Sequence, residues 1–110
     1  MTNIPSLTDL IEVAKVKIDA LEKDIEGAVC KYAASRGVLH YKFVSPARTN
    51  VPDRLFINAH GKAFFIEFKR HGQKPRPGQQ REIEKLRAQN VNVFVVDNVE
   101  DGKAVIDMMV

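Results

Sequence analysis

The 110-residue sequence predicts an α/β fold, a mixed central β-sheet flanked by helices, and three observations predict it. Apolar residues recur at alternating intervals of four and three along 7–32. Short segments rich in β-branched and aromatic residues then follow one another, separated by polar turns. Two further helix-patterned stretches bracket the last of these segments, giving the order α-β-β-β-α-β-α.

The first helix has Ser6 as its N-cap and Asp9 as a negative charge in the first turn. Leu7, Ile11, Ala14, Ile18, Leu21, Ile25, Ala28 and Tyr32 form one stripe, and Gly37 is the stop after Ser35. So long a stripe can pack on its own domain or on a second chain, and a break near 19–22 is compatible with it. Residues 38–44 read as a strand, and Pro52 holds Val51 extended ahead of a second strand over 53–58. A turn at 59–62 leads into a third strand over 63–69. After a basic loop with two prolines, a helix is predicted from 78 or 79 to 89, with Ile83, Leu86 and the stem of Arg87 inward. The run 91–96, apolar but for Asn92, predicts a strand buried on both faces, and 100–109 a last helix with Val105, Ile106 and Met109 inward.

Composition excludes several classes. With 45% hydrophobic and 28% charged residues the chain is neither disordered nor membrane-spanning, since no apolar run approaches 18 residues. Charges throughout the N-terminal segment leave no signal-peptide core, so a cytoplasmic protein is expected. Cys30, the one cysteine, excludes a disulfide framework and a Cys-rich zinc site. One domain over 1–110 is expected, a long helix 7–35 joined to a core 38–110 that has to contain any site.

Charge is unevenly placed. Residues 1–26 and 82–110 each carry net −3, whereas 27–81 carry eleven Lys and Arg against two acids, net +9. Such a block collects phosphate contacts, which makes nucleic acid the leading partner. Arg48, Arg54, Arg70, Lys74 and Arg76 are the candidate phosphate contacts. No aromatic interleaving marks a stacking platform for single strands.

The two acids inside the block are Asp53 and Glu67. In the third strand Glu67 and Lys69 share a face, about 7 Å apart. A hairpin turning near 60–61 sets Asp53 opposite the 67–69 region. Two carboxylates and an ammonium therefore converge, and a divalent cation supplies the missing counter-charge. Mg²⁺ favours one or two carboxylates together with water and phosphate oxygens. His40, His60 and His71 lack metal-ligand spacing, and Cys30 reads as a small buried residue.

Pro52-Asp53, thirteen residues, then Glu67-Phe68-Lys69 resembles the PD-(D/E)xK nuclease pattern. Asn50-Val51-Pro52-Asp53 with Phe65-Ile66-Glu67-Phe68-Lys69, followed by Gln79 and Leu86, is similar to the VRR-NUC (virus-type replication-repair nuclease) family over roughly residues 20–100. The resemblance implies a restriction-endonuclease-like core and a metal-dependent phosphodiester hydrolysis. It makes Asp53 and Glu67 metal carboxylates, with the main-chain carbonyl of Phe68 as a further ligand for Mg²⁺ or a substituting Mn²⁺. Lys69 would orient the attacking water or stabilise charge on the phosphate. Glu26 resembles the helix glutamate that completes the metal site in related junction resolvases, with Glu22, one turn away, as its alternative. Gln79, or adjacent Gln80, matches a helix glutamine facing the site. The family commonly has glycine where this chain has Asn50 and Asn90, and asparagine tolerates the same left-handed backbone. Standalone relatives imply a phage-type homodimer cutting branched DNA such as Holliday junctions. Competing readings are a non-catalytic DNA-binding or assembly module, and a nuclease of the same chemistry acting on plain duplex or RNA.

Overall fold

The computed structural model describes residues 6–110 and, over 12–21 of the first helix, the backbone alone. The elements are α1 (Leu7–Ser35), β1 (Leu39–Lys42), β2 (Arg54–Ile57), β3 (Ala63–Phe68), α2 (Pro77–Ala88), β4 (Asn92–Val96) and α3 (Val99–Met109), in the expected order. The strands form one sheet in the order β1-β2-β3-β4, antiparallel except for the parallel β3–β4 pair. The parallel pair is joined through α2, the crossover that parallel neighbours need.

α1 runs without a break. Its N-cap is Ser6, whose Oγ accepts the Asp9 N–H while the Asp9 carboxylate accepts the Ser6 N–H. It stops where Gly37, at φ 74°, lets the Val38 N–H reach back to the Ala33 carbonyl. The side chains of Ala14, Ile18 and Leu21 lie outside the described ones. The rest of the stripe behaves as two parts: Leu7 and Ile11 are exposed, whereas Ile25 is buried and Tyr32 half-buried.

α1 and α3 cover one face of the sheet. Ile25, Val29, Cys30 and Ala33 of α1 meet Phe56, Phe64, Ile66 and Phe68 of the strands and Ile106 and Met109 of α3. Phe56 and Phe64, cross-strand partners, stack at 5.2 Å between ring centroids. Val38, which follows the helix stop, is buried in the same core. α1 and α3 approach closely because Gly102 has no Cβ; one placed there would overlap Val29 Cγ2. The Tyr32 hydroxyl donates to Asp107 at 2.6 Å, and Lys103 lies 5.3 Å above the Tyr32 ring.

α2 alone covers the other face, where Ile83 and Val93 are buried. Pro77 occupies its first turn, one residue ahead of the expected start. Leu86 is half-buried, and the Arg87 guanidinium donates to the Val93 carbonyl at 2.7 Å. β4 departs from the expectation of burial on both faces. It is an edge strand with a single neighbour, so Val93 and Val96 are buried but Val95 is 37% exposed.

Replacing Gly102 by Ala is expected to lower stability by about 1–3 kcal/mol, because the buried, β-branched Val29 side chain must give way to admit the methyl. Gly27→Ala is the internal control. It is exposed in α1 with nothing near the new Cβ, and should raise stability by about 0.5–1 kcal/mol. Thermal unfolding of the two variants checks the opposite signs.

Candidate active site

The hairpin sets the first part of the site. β2 and β3 pair with Arg54 opposite Ile66, so one further step places Asp53 opposite Glu67, at the register the spacing predicts. Pro52 is buried beside it, and the Asp53 carbonyl accepts the Phe43 N–H at 2.7 Å, closing the ladder to the β1 side. Asp53 itself is exposed at the end of the hairpin. Phe68 sends its side chain into the α1–α3 core between Glu67 and Lys69 on the opposite face.

Glu67 is only 2% exposed. The cover is α2. Gln79, in the first turn of α2, donates its amide N–H to Glu67 at 3.1 Å. Its carbonyl oxygen accepts from Lys69 Nζ at 2.7 Å and from the Arg76 N–H at 3.0 Å. Lys69 Nζ lies 3.6 Å from the Glu67 carboxylate. Gln79 therefore caps its own helix and fixes the spacing of the acid and the base. Gln80, the alternative, instead bonds Glu84 in the next turn of α2.

Burial pushes the Glu67 carboxyl up to about 7, and the negative charge of Asp53 adds to the effect; Lys69 opposes both. A carboxylate so short of positive charge is what a divalent cation would relieve. Asp53 and Glu67 fit that role as a pair of oxygen donors. Among the described residues no three His, Cys, Asp or Glu side chains come together as one ligand group.

The third carboxylate is elsewhere. Glu26 pairs with Arg54 at 2.5 Å, and Arg54 belongs with Phe56 on the α1 side of the sheet, away from Glu67. The interaction holds the Arg54 guanidinium well charged. Glu22, one turn earlier, lines an open cleft of about 380 Å³ with Lys69, Arg70, Gln73, Lys74 and Arg76. The helix thus sends Glu22, not Glu26, toward the basic loop.

The expected phosphate contacts divide in the same way. Arg48 forks onto Glu82 at 2.6 and 3.0 Å, and the pairing holds the Glu82 carboxyl below its usual range. This ties the 45–50 loop to α2. Arg70, Lys74 and Arg76 line the cleft beside Lys69. The loop carrying them is anchored where the Gly72 N–H, at φ 79°, donates to Asp97 at the end of β4. Asn50 and Asn90 take φ of 63° and 64°, the left-handed backbone expected of them.

What the sequence hides is an aromatic pair. Phe43, after β1, meets Phe65 of β3 edge-to-face at 5.1 Å, on the same face of β3 as Glu67. The two are 22 positions apart in sequence, and only strand pairing brings them together.

No family model matches the chain. In sequence it is 42% identical over 83 residues to "Putative nuclease p44" of Acyrthosiphon pisum secondary endosymbiont phage 1, spanning 76% of this chain and 85% of that protein. In structure it is similar to a solved chain described as a VRR_NUC domain, with a TM-score of 0.73 and 31% identity, covering 78% of this chain and 94% of that one. The mixed sheet with its flanking helices is an α/β core of the PD-(D/E)xK kind. The chain belongs to the VRR-NUC family.

A buried acid raised to about 7 binds its proton more tightly folded than unfolded. Its contribution to stability is therefore complete below the ordinary carboxylate range and is lost as pH rises toward 7 and beyond. In chelator, the melting temperature is expected to fall by several degrees from pH 5 to pH 8. Glu67→Gln keeps an acceptor for Gln79 and removes the charge, so it should flatten that fall and melt higher than the parent at pH 8.

Proposed function

We propose that the chain is a metal-dependent endodeoxyribonuclease that hydrolyses phosphodiester bonds in branched DNA, Holliday junctions among them, as a homodimer in the host-cell cytoplasm. One observation carries the catalytic part: a buried carboxylate short of positive charge, held by Gln79 at fixed distance from Lys69, with Asp53 across the hairpin. Asp53, Glu67 and the main-chain carbonyl of Phe68 would hold Mg²⁺, with Mn²⁺ as a substitute. The ion, when bound, polarises the phosphodiester and lowers the pKa of water. Glu22 is better placed than Glu26 to add a carboxylate near the same cleft, since Glu26 is committed to Arg54.

The protein's own groups supply orientation and charge. Lys69 donates from a position beside Glu67, where an ammonium can hold the attacking water or the non-bridging phosphate oxygens. Its remaining freedom is limited by Gln79, so it meets substrate in one place. Arg70, Lys74 and Arg76 line the adjoining cleft, suited to the phosphates next to the cleaved one. The relatives favour nucleic acid as substrate, and the +9 block agrees with it. The homodimer reading rests on the exposed apolar start of α1, Leu7, Leu10 and Ile11. A two-fold pair would offer two sites to two strands of a junction. No described helix is long and apolar enough to cross a membrane.

A panel of duplex, flap, splayed-arm and four-way-junction DNA, each with Mg²⁺, Mn²⁺ or EDTA, tests this reading. Cleavage is expected with either metal, strongest on branched substrates and absent in EDTA. Glu67→Ala and Lys69→Ala should each lose on the order of 10²-fold or more. Failure of the unmutated protein to cut any substrate would overturn it in favour of a DNA-binding module.

A further inference from the structure

Two clefts adjoin on the α2 side of the sheet, next to the site but outside it. The first, about 300 Å³, runs between 47–50 and the outer face of α2, where exposed Arg81 and Lys85 stand one turn apart. Arg48 in its wall is already spent on Glu82, so Arg81 and Lys85 give this groove its available positive charge. Gly78 lets the 47–50 loop lie this close, since a Cβ there would come within 2.8 Å of the Asn50 amide. The second cleft, about 430 Å³, is mostly apolar and is walled by the Phe43–Phe65 pair, with Ser45 and Gln89 at its rim. The two share Arg48, Glu82 and Lys85, so a phosphate-binding surface passes directly into an aromatic one. Phe65 is two residues from Glu67 on one face of β3, about 7 Å away.

We propose that these paired clefts hold one unpaired nucleotide of the DNA, its phosphate at Arg81 and Lys85 and its base against Phe43 and Phe65. The inference rests on the reading that the chain acts on DNA, and adds how unpaired DNA is selected. Positive charge and an aromatic wall side by side match a nucleotide and no purely apolar partner segment. A base still stacked in duplex cannot enter a cleft walled by the sheet, whereas a base at a branch point is already free. Stacking on phenylalanine accepts any base, so selection is by pairing state and not by sequence.

The test is binding in EDTA, where no cleavage is needed, to a duplex and to the same duplex carrying one unpaired 2-aminopurine. The protein is expected to bind the second more tightly and to change the 2-aminopurine fluorescence. Phe43→Ala should erase most of that preference, on the order of ten-fold, with little effect on duplex binding. Lys85→Ala, on an exposed position, should weaken both and lower the slope of log K against log salt by about one. Equal affinity of the unmutated protein for both DNAs would overturn the inference without any variant. So would Phe43→Ala that melts like the parent and keeps the preference, or one that loses only self-association in the absence of DNA. A protein that discriminates but never cuts would refute the nuclease reading alone, and one that cuts without discriminating would refute this one alone.

Discussion

Glu67 is a carboxylate taken out of water on a sheet face that a single helix covers, and most of the molecule is arranged around that fact. Nothing else on β3 is costly: Phe64, Ile66 and Phe68 point into the core, and burying them is favourable. Burying Glu67 opposes folding unless its charge is met, and the chain meets it only in part. Gln79 gives one hydrogen bond, and Lys69 stands 3.6 Å away. Asp53 adds a second negative charge. The remaining deficit is the physical basis of the cation site proposed above.

The two faces of the sheet divide the work that follows from this. The α1–α3 side joins aromatic and aliphatic side chains from five elements and pairs polar groups internally, Arg54 with Glu26 and Tyr32 with Asp107. The α2 side has a thin cover, where Gln79, Glu82 and Ile83 of one helix are buried. Arg48 on Glu82 ties the loop before Asp53 to that helix, so the Asp53 end of the hairpin and Gln79 are held by the same element. The basic block is thus smaller in effect than in count, because Arg48 and Arg54, and Arg36 on Asp107, are paired within the fold.

The hairpin was legible because two simple periods agree. A turn centred on 60 and a two-residue strand alternation leave one register, and that register joins Asp53 to Glu67. The left-handed positions Asn50 and Asn90 and the stop at Gly37 follow from local backbone preference, which needs no tertiary knowledge. Glu67's burial was not legible, since a glutamate on the outer phase of a strand is solvated until another element covers it. The choice between Glu26 and Glu22 depends on the rotation of α1 about its axis, which the α3 contact at Gly102 helps to set. The Phe43–Phe65 pair was invisible for the same reason. Each phenylalanine reads as ordinary strand composition until the sheet aligns them.

Gln79 shows why so short a chain can hold a site of this kind. An amide has a donor and an acceptor, so one side chain can satisfy a carboxylate and an ammonium at once. A lysine at 79 would crowd Lys69, a glutamate would add a third negative charge to Asp53 and Glu67, and an apolar residue would leave Glu67 with one donor fewer. The same oxygen also accepts the Arg76 N–H, so the side chain that sets the acid–base spacing is fixed by the start of the helix it belongs to. The Pro77 ring holds that first turn in helical backbone without needing a hydrogen-bond partner. Site geometry and helix initiation are therefore one structural event, and any displacement of the α2 N-terminus moves Lys69 relative to Glu67.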